Sequence, residues 1–221
     1  VQRQRWFSGF IAPLIAAGLS VVLSPVAAAD GAGLRPDSPP PTVGVNVQAP
    51  SPVNFIAEQA ASDVEAFWTF TGLPGRYSPP AGYVALPAPL PDDVCLKQLQ
   101  IARFCSSEIA WDVPEMEQIN NAGGALAVAD VLAHEMGHQI QTTLIAPISE
   151  RGADCLSGVY LASVVNGTSP RFMGNVVDVR NSAAAAFAVG GAGPDVVDSR
   201  LAALDTGLGG NVDVCLAVYT D

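Results

Sequence analysis

Both histidines of this chain sit four residues apart, in His134-Glu135-Met136-Gly137-His138, within a stretch over 125–144 that has no proline and no glycine besides Gly137. Small and apolar residues dominate that stretch, so it reads as a helix that is apolar nearly all round and therefore buried. Burying two imidazoles and a carboxylate in such a helix demands partners for them. The i, i+4 spacing stacks both rings on one face. Two neutral imidazoles placed this way can grip one Zn²⁺, with Glu135 in reach of the water that the metal activates. A catalytic zinc takes three protein ligands, and with no third histidine the last must be a carboxylate or a thiolate. An ordinary pair of helical histidines beside a solvated Glu is the plainer alternative.

Glu150-Arg151-Gly152-Ala153-Asp154 follows after a link of eleven residues. Pro147 ends the first helix, and Ser149 is placed to cap a second one starting at Glu150. Carboxylates at i and i+4 share a face and repel unless a cation or donor lies between them. A zinc ion for Glu150 and an imidazole N–H for Asp154 would resolve the repulsion. An exposed acidic helix start, stabilised by the helix dipole, is the competing reading.

Taken together, His134-Glu-Met-Gly-His138-Gln139 and Glu150-x-x-Ala153-Asp154-Cys155-x-x-Gly158 resemble the neutral zinc metallopeptidase family, close to the gluzincins. Fainter similarity reaches Phe67-Trp68, Phe104-Cys105 and the stretch over 207–215. The resemblance implies one Zn²⁺ per chain, His134, His138 and Glu150 as its ligands, and Glu135 as general base. It implies Asp154 as the hydrogen-bond partner of a ligand histidine. The link from His138 to Glu150 is short for that family, which keeps Asp154 and Cys155 open as fallback ligands. For an oxyanion donor the candidates are Tyr160, Arg151, Arg180 and Arg200, the last matching the late position of an arginine in the family.

Around this core the chain reads as an exported protein. Residues 1–29 carry Arg3 and Arg5, then an uncharged run to Leu23, then Ala27-Ala28-Ala29, the layout of a cleavable signal peptide. An uncleaved membrane anchor is the alternative. Residues 30–52 are proline-rich and lack apolar periodicity, so a disordered or extended linker is expected there, followed by one domain over 53–221. Loss of the two arginines moves the net charge from −11 to −13, a poor match to nucleic acid. No stable membrane span is expected after signal removal. Cys95, Cys105, Cys155 and Cys215 read as two disulfides of a secreted or cell-envelope protein. Three pairings are open. Cys95 with Cys105 would close a short loop, leaving Cys155 with Cys215.

Apolar spacing predicts helices over 54–71, 125–144, from Glu150, 175–188 and 195–204, with strands over 83–86, 95–104 and 109–111. Phe67, Trp68 and Phe70 are expected in the core. The fold expected is α+β, mainly helical, a zincin-like metallopeptidase domain with a small β-sheet. Its expected activity is hydrolysis of peptide or protein substrates. A non-catalytic secreted binding protein, stabilised by zinc and disulfides, is the alternative. An intact Glu beside an open metal position favours the enzyme.

Overall fold

The computed structural model describes residues 32–87 and 101–219. The expected signal peptide, Cys95 and the first part of the 95–104 strand lie outside the described residues. What is described is an α+β fold, mainly helical, built on a central helix with a small mixed sheet along one side.

Helix α1 (Pro52–Phe67) starts at Ser51, whose hydroxyl accepts the Val53 amide, with Pro52 in the first turn. Its Val53, Ala57, Ala60, Ala61 and Val64 form the buried stripe. A π-type turn (Trp68–Gly72) extends it. There Trp68 points into the core, while Phe70 is 78% exposed. The expectation of a buried Phe70 is therefore wrong: two residues apart on a helix, the side chains leave opposite sides.

Four strands form the sheet in the order β2 (Val45–Val47), β3 (Gly82–Leu86), β5 (Glu108–Asp112), β4 (Ala102–Cys105). The first two pairings are parallel and the last is antiparallel, which leaves β4 on an edge. A two-stranded ribbon joins β1 (Gly33–Leu34) to β6 (Phe172–Met173). Two of these strands lie in the segment read as a linker, so from residue 32 onward that expectation is corrected. Prolines remove N–H groups but keep their carbonyls. Buried Arg171 donates through Nη2 to the Pro40 carbonyl at 2.9 Å, and the Thr42 and Val43 amides donate to Ser62 Oγ. The segment is extended, as its composition demands, but it is bound to the domain.

Helix α2 (Val113–Thr143) is capped by Asp112 and broken at Gly124, whose φ of 71° is a conformation that L side chains resist. Only the part after the break was legible as a helix. It packs against α1, α3 (Glu150–Val165), α4 (Val176–Val189) and the β4–β5 hairpin. A side chain at Gly137 would come within 2.8 Å of the Ala153 Cα, so the HExxH turn and the first turns of α3 can touch only because that position is glycine. Helix α5 (Pro194–Gly209) crosses α3, with Gly207 against the Cys155 carbonyl. The last helix, α6 (Val212–Val218), was not expected; Cys215 ties it to α3 through a disulfide to Cys155, the pairing expected for those two. Cys105 is also disulfide-bonded, but the expected Cys95–Cys105 pairing rests on a residue outside those described. Among the described residues no helix is long and apolar enough to cross a membrane.

Candidate metal centre

His134 and His138 leave the buried face of α2 one turn apart, with ring centroids 4.8 Å from each other. Across from them Glu150 stands at the first position of α3. The six-residue turn over 144–149 brings it there: Ile145 adopts φ 54°, and the Ala146 amide folds back onto the Gln141 carbonyl at 2.8 Å. Ser149 then caps α3 by accepting the Gly152 amide. The short link thus delivers Glu150, and neither fallback ligand takes its place: Asp154 binds the far nitrogen of His134 and Cys155 is in the disulfide.

Glu150 Oε2 lies 3.2 Å from His134 Nε2, and Oε1 lies 3.5 Å from His138 Nε2. One ligand atom from each residue falls within 4.8 Å of the other two, so this group could hold a metal ion. Bonds of about 2.0–2.2 Å at tetrahedral angles put ligand atoms about 3.4 Å apart, which both distances approach. A cation between the three would relieve the crowding of lone pairs on Glu150. Without one, the His134 ring and, after it, the His138 ring hold the Glu150 carboxyl well below its ordinary range.

Behind the first ring, His134 Nδ1 meets Asp154 Oδ1 at 2.8 Å, as expected for this aspartate. Burial pushes the His134 ring down, but the Asp154 carboxylate and the Glu150 contact more than offset it and raise the ring to about 10. Asp154 is 1% exposed; burial alone would raise its carboxyl, yet His134 and Arg200 hold it low. Arg200 grips it with two bonds, Nε to Oδ2 at 2.8 Å and Nη2 to Oδ1 at 2.7 Å, and its guanidinium lies over the Phe187 ring.

Glu135, 7% exposed, faces the same cleft of about 700 Å³ as the triad. Its Oε2 accepts the Phe104 amide of β4 at 2.7 Å. Ile101 uses its carbonyl toward β5, taking the Asp112 amide. By strand alternation Phe104 turns its own polar groups outward, to the cleft. Among the described residues no strand pairs with this outer edge of β4, which runs beside the triad.

Of the four oxyanion candidates only Arg200 lines this cleft. Tyr160 is buried against Asp63, Arg180 pairs with Asp205, and Arg151 sits over the Tyr219 ring. Three contributors were missed: the Phe104 amide, Asp130 and Gln141. Asp130 lies one turn before His134 and accepts Ser157 Oγ at 2.6 Å. Gln141 Oε1 lies 3.1 Å from His138 Nδ1. Helical spacing from the two histidines puts both residues on or near the ligand face, a signal available in the sequence; the amide of an edge strand leaves none. No protein-family model, no curated protein and no solved structure matches this chain.

Proposed function

We propose that this protein is an exported zinc-dependent peptidase of zincin-like, gluzincin type. One observation carries the reading: His134, His138 and Glu150 converge in an open cleft with a separate buried carboxylate, Glu135, facing the same space. Among the described residues the cluster offers three ligand groups. Catalytic zinc keeps three protein ligands, whereas structural zinc closes its shell with four. That count supports an enzyme over a zinc-stabilised binding module.

A zinc ion held there would supply Lewis acidity, making water acidic near neutral pH and polarising a scissile carbonyl. Glu135 takes the proton of the attacking water and returns it to the leaving amine. Asp154 holds the His134 ring with Nδ1 protonated and Nε2 directed at the cleft. Arg200, fixed by Asp154 and stacked on Phe187, faces developing negative charge on the substrate carbonyl. The outer edge of β4 offers backbone groups to an extended peptide, the chemistry of strand addition. A peptide or protein is therefore the substrate class.

The test is metal content of the purified chain by mass spectrometry, with hydrolysis of an unfolded protein such as casein measured before chelation, after it and after zinc is restored. One zinc per chain and chelation-sensitive, zinc-restored cleavage are expected. Bound zinc without any cleavage would leave the binding-module reading in its place.

A further inference from the structure

We propose that Gln141 is the positioning residue of this centre, one buried amide that sets both the His138 ring and the residue from which Glu150 departs. The proposal rests on the metal reading above and adds a residue to it. Gln141 is 1% exposed. Its Nε2 donates to the Ser149 carbonyl at 3.0 Å, and its Oε1 accepts the Ser149 amide at 3.4 Å. A backbone N–H only donates and a carbonyl only accepts. Ser149 therefore fixes which end of the Gln141 amide is oxygen, independently of the histidine.

That oxygen is the atom 3.1 Å from His138 Nδ1. Since it can only accept, Nδ1 must carry the proton, and a neutral His138 then has its bare Nε2 toward Glu150 Oε1. The ring is held in the tautomer a metal needs. Meanwhile the two bonds to Ser149 hold the cap of α3 directly before Glu150. A Cβ at Gly152 would overlap Gln141 Nε2, so the amide lies flush against the first turn of α3. His134 receives the equivalent service from a carboxylate, Asp154; His138 receives it from a neutral amide, which adds no further negative charge to a site already holding Glu135, Glu150 and Asp154.

The test uses the full chain and two readouts. Zinc affinity is measured by competition with a chromogenic chelator for the parent, Gln141→Leu and Gln141→Glu. The His138 tautomer is read from imidazole ¹⁵N shifts of the metal-free protein at alkaline pH. Loss of a group that orients a ligand weakens metal binding about 10–100-fold, and that loss is expected for Gln141→Leu. Gln141→Glu keeps an acceptor for Nδ1–H but loses the donor to the Ser149 carbonyl. It should therefore recover only part of the affinity lost in Gln141→Leu while keeping the Nδ1–H tautomer, a partial rescue that a merely structural role would not give. Parent-like affinity in Gln141→Leu overturns the proposal, as does an Nε2–H tautomer in the parent, a measurement that needs no variant to fold. Failure of the parent itself to bind zinc would instead overturn the metal reading, and this proposal with it.

Discussion

Two buried aspartates of similar exposure have opposite fates in this fold. Asp63, on α1, accepts Tyr160 Oη at 2.9 Å and Ser169 Oγ at 2.6 Å, and burial leaves its carboxyl raised. Asp154, on α3, is held by Arg200 and His134, and its carboxyl is lowered. Both lose solvation; only the second has cations in direct contact to compensate. The Asp63 cluster is closed: of the two nearby cations, Arg171 directs its bonds to Gln59 and the Pro40 carbonyl and Arg35 to the Ser169 and Phe172 carbonyls, joining the N-terminal segment to the core. The Asp154 cluster is open, because its chain of bonds continues through His134 to Nε2 at the cleft. A buried polar network is thus not itself a sign of chemistry. The open end at the cleft is what the proposed chemistry rests on.

The largest effects should come from breaking the open cluster. Glu135→Gln should keep zinc and fold yet lower turnover about 10²–10⁴-fold, the usual range for a general base. His138→Ala should lose the metal as well. Metal analysis beside the activity assay separates the two, and equal metal loss in both would make Glu135 a ligand. Next in size is the Cys155–Cys215 bond, with a sequence separation of 60 residues. Loop entropy puts its contribution at about 4 kcal/mol. Replacing both cysteines by alanine should lower the denaturation midpoint accordingly, and should weaken zinc binding too, because α3 carries Glu150. Unchanged zinc affinity in a folded double variant would detach the bond from the site.

How much of this was legible follows from how local each feature is. His134, Glu135 and His138 share a helix, and so do Glu150 and Asp154, so helical periodicity alone aligns each set. Bringing the sets together depends on Gly137 against Ala153 and on the turn at Ile145, tertiary facts that the motifs only imply. Arg200 was one of four candidates, since choosing it requires knowing that α5 crosses α3. Gln141 escaped because its meaning lies in the return of the chain at Ser149. The segment over 32–52 was misread since it is held by two short strands and by single polar contacts at Arg35, Pro40, Thr42 and Val43, which leave no apolar pattern. Phe70 was misread for the opposite reason: an aromatic suggested burial where the helix turned it outward.

The closed cluster predicts a smaller and different loss. Asp63→Ala leaves the Tyr160 and Ser169 hydroxyls without their acceptor, a cost of about 1–3 kcal/mol. Stability by chemical denaturation should fall by that order, while zinc affinity of the folded protein stays at the parent value. A matching drop in zinc affinity would show that the two clusters communicate, and the contrast drawn between them would fail.

Asp130 lies between these two behaviours, and its effect should be the smallest. It is fully buried beside the open cluster, and burial raises its carboxyl to about 6; the Ser157 hydrogen bond, His134 and Arg200 oppose the rise, while Asp154 adds to it. A carboxyl raised above its unfolded value of about 3.9 binds more protons in the folded state between those limits. Asp130 therefore costs no stability below about pH 4, and its penalty grows as pH rises to about 6. In metal-free protein, the stability of Asp130→Asn relative to the parent should climb across that window and level off above it, as followed by thermal midpoints from pH 4 to 7. Zinc in the cleft that Asp130 lines should favour its ionised form and shift the climb to lower pH. A difference between variant and parent that stays flat with pH would place Asp130 with the closed cluster, as a clamp on Ser157 that does not sense the site.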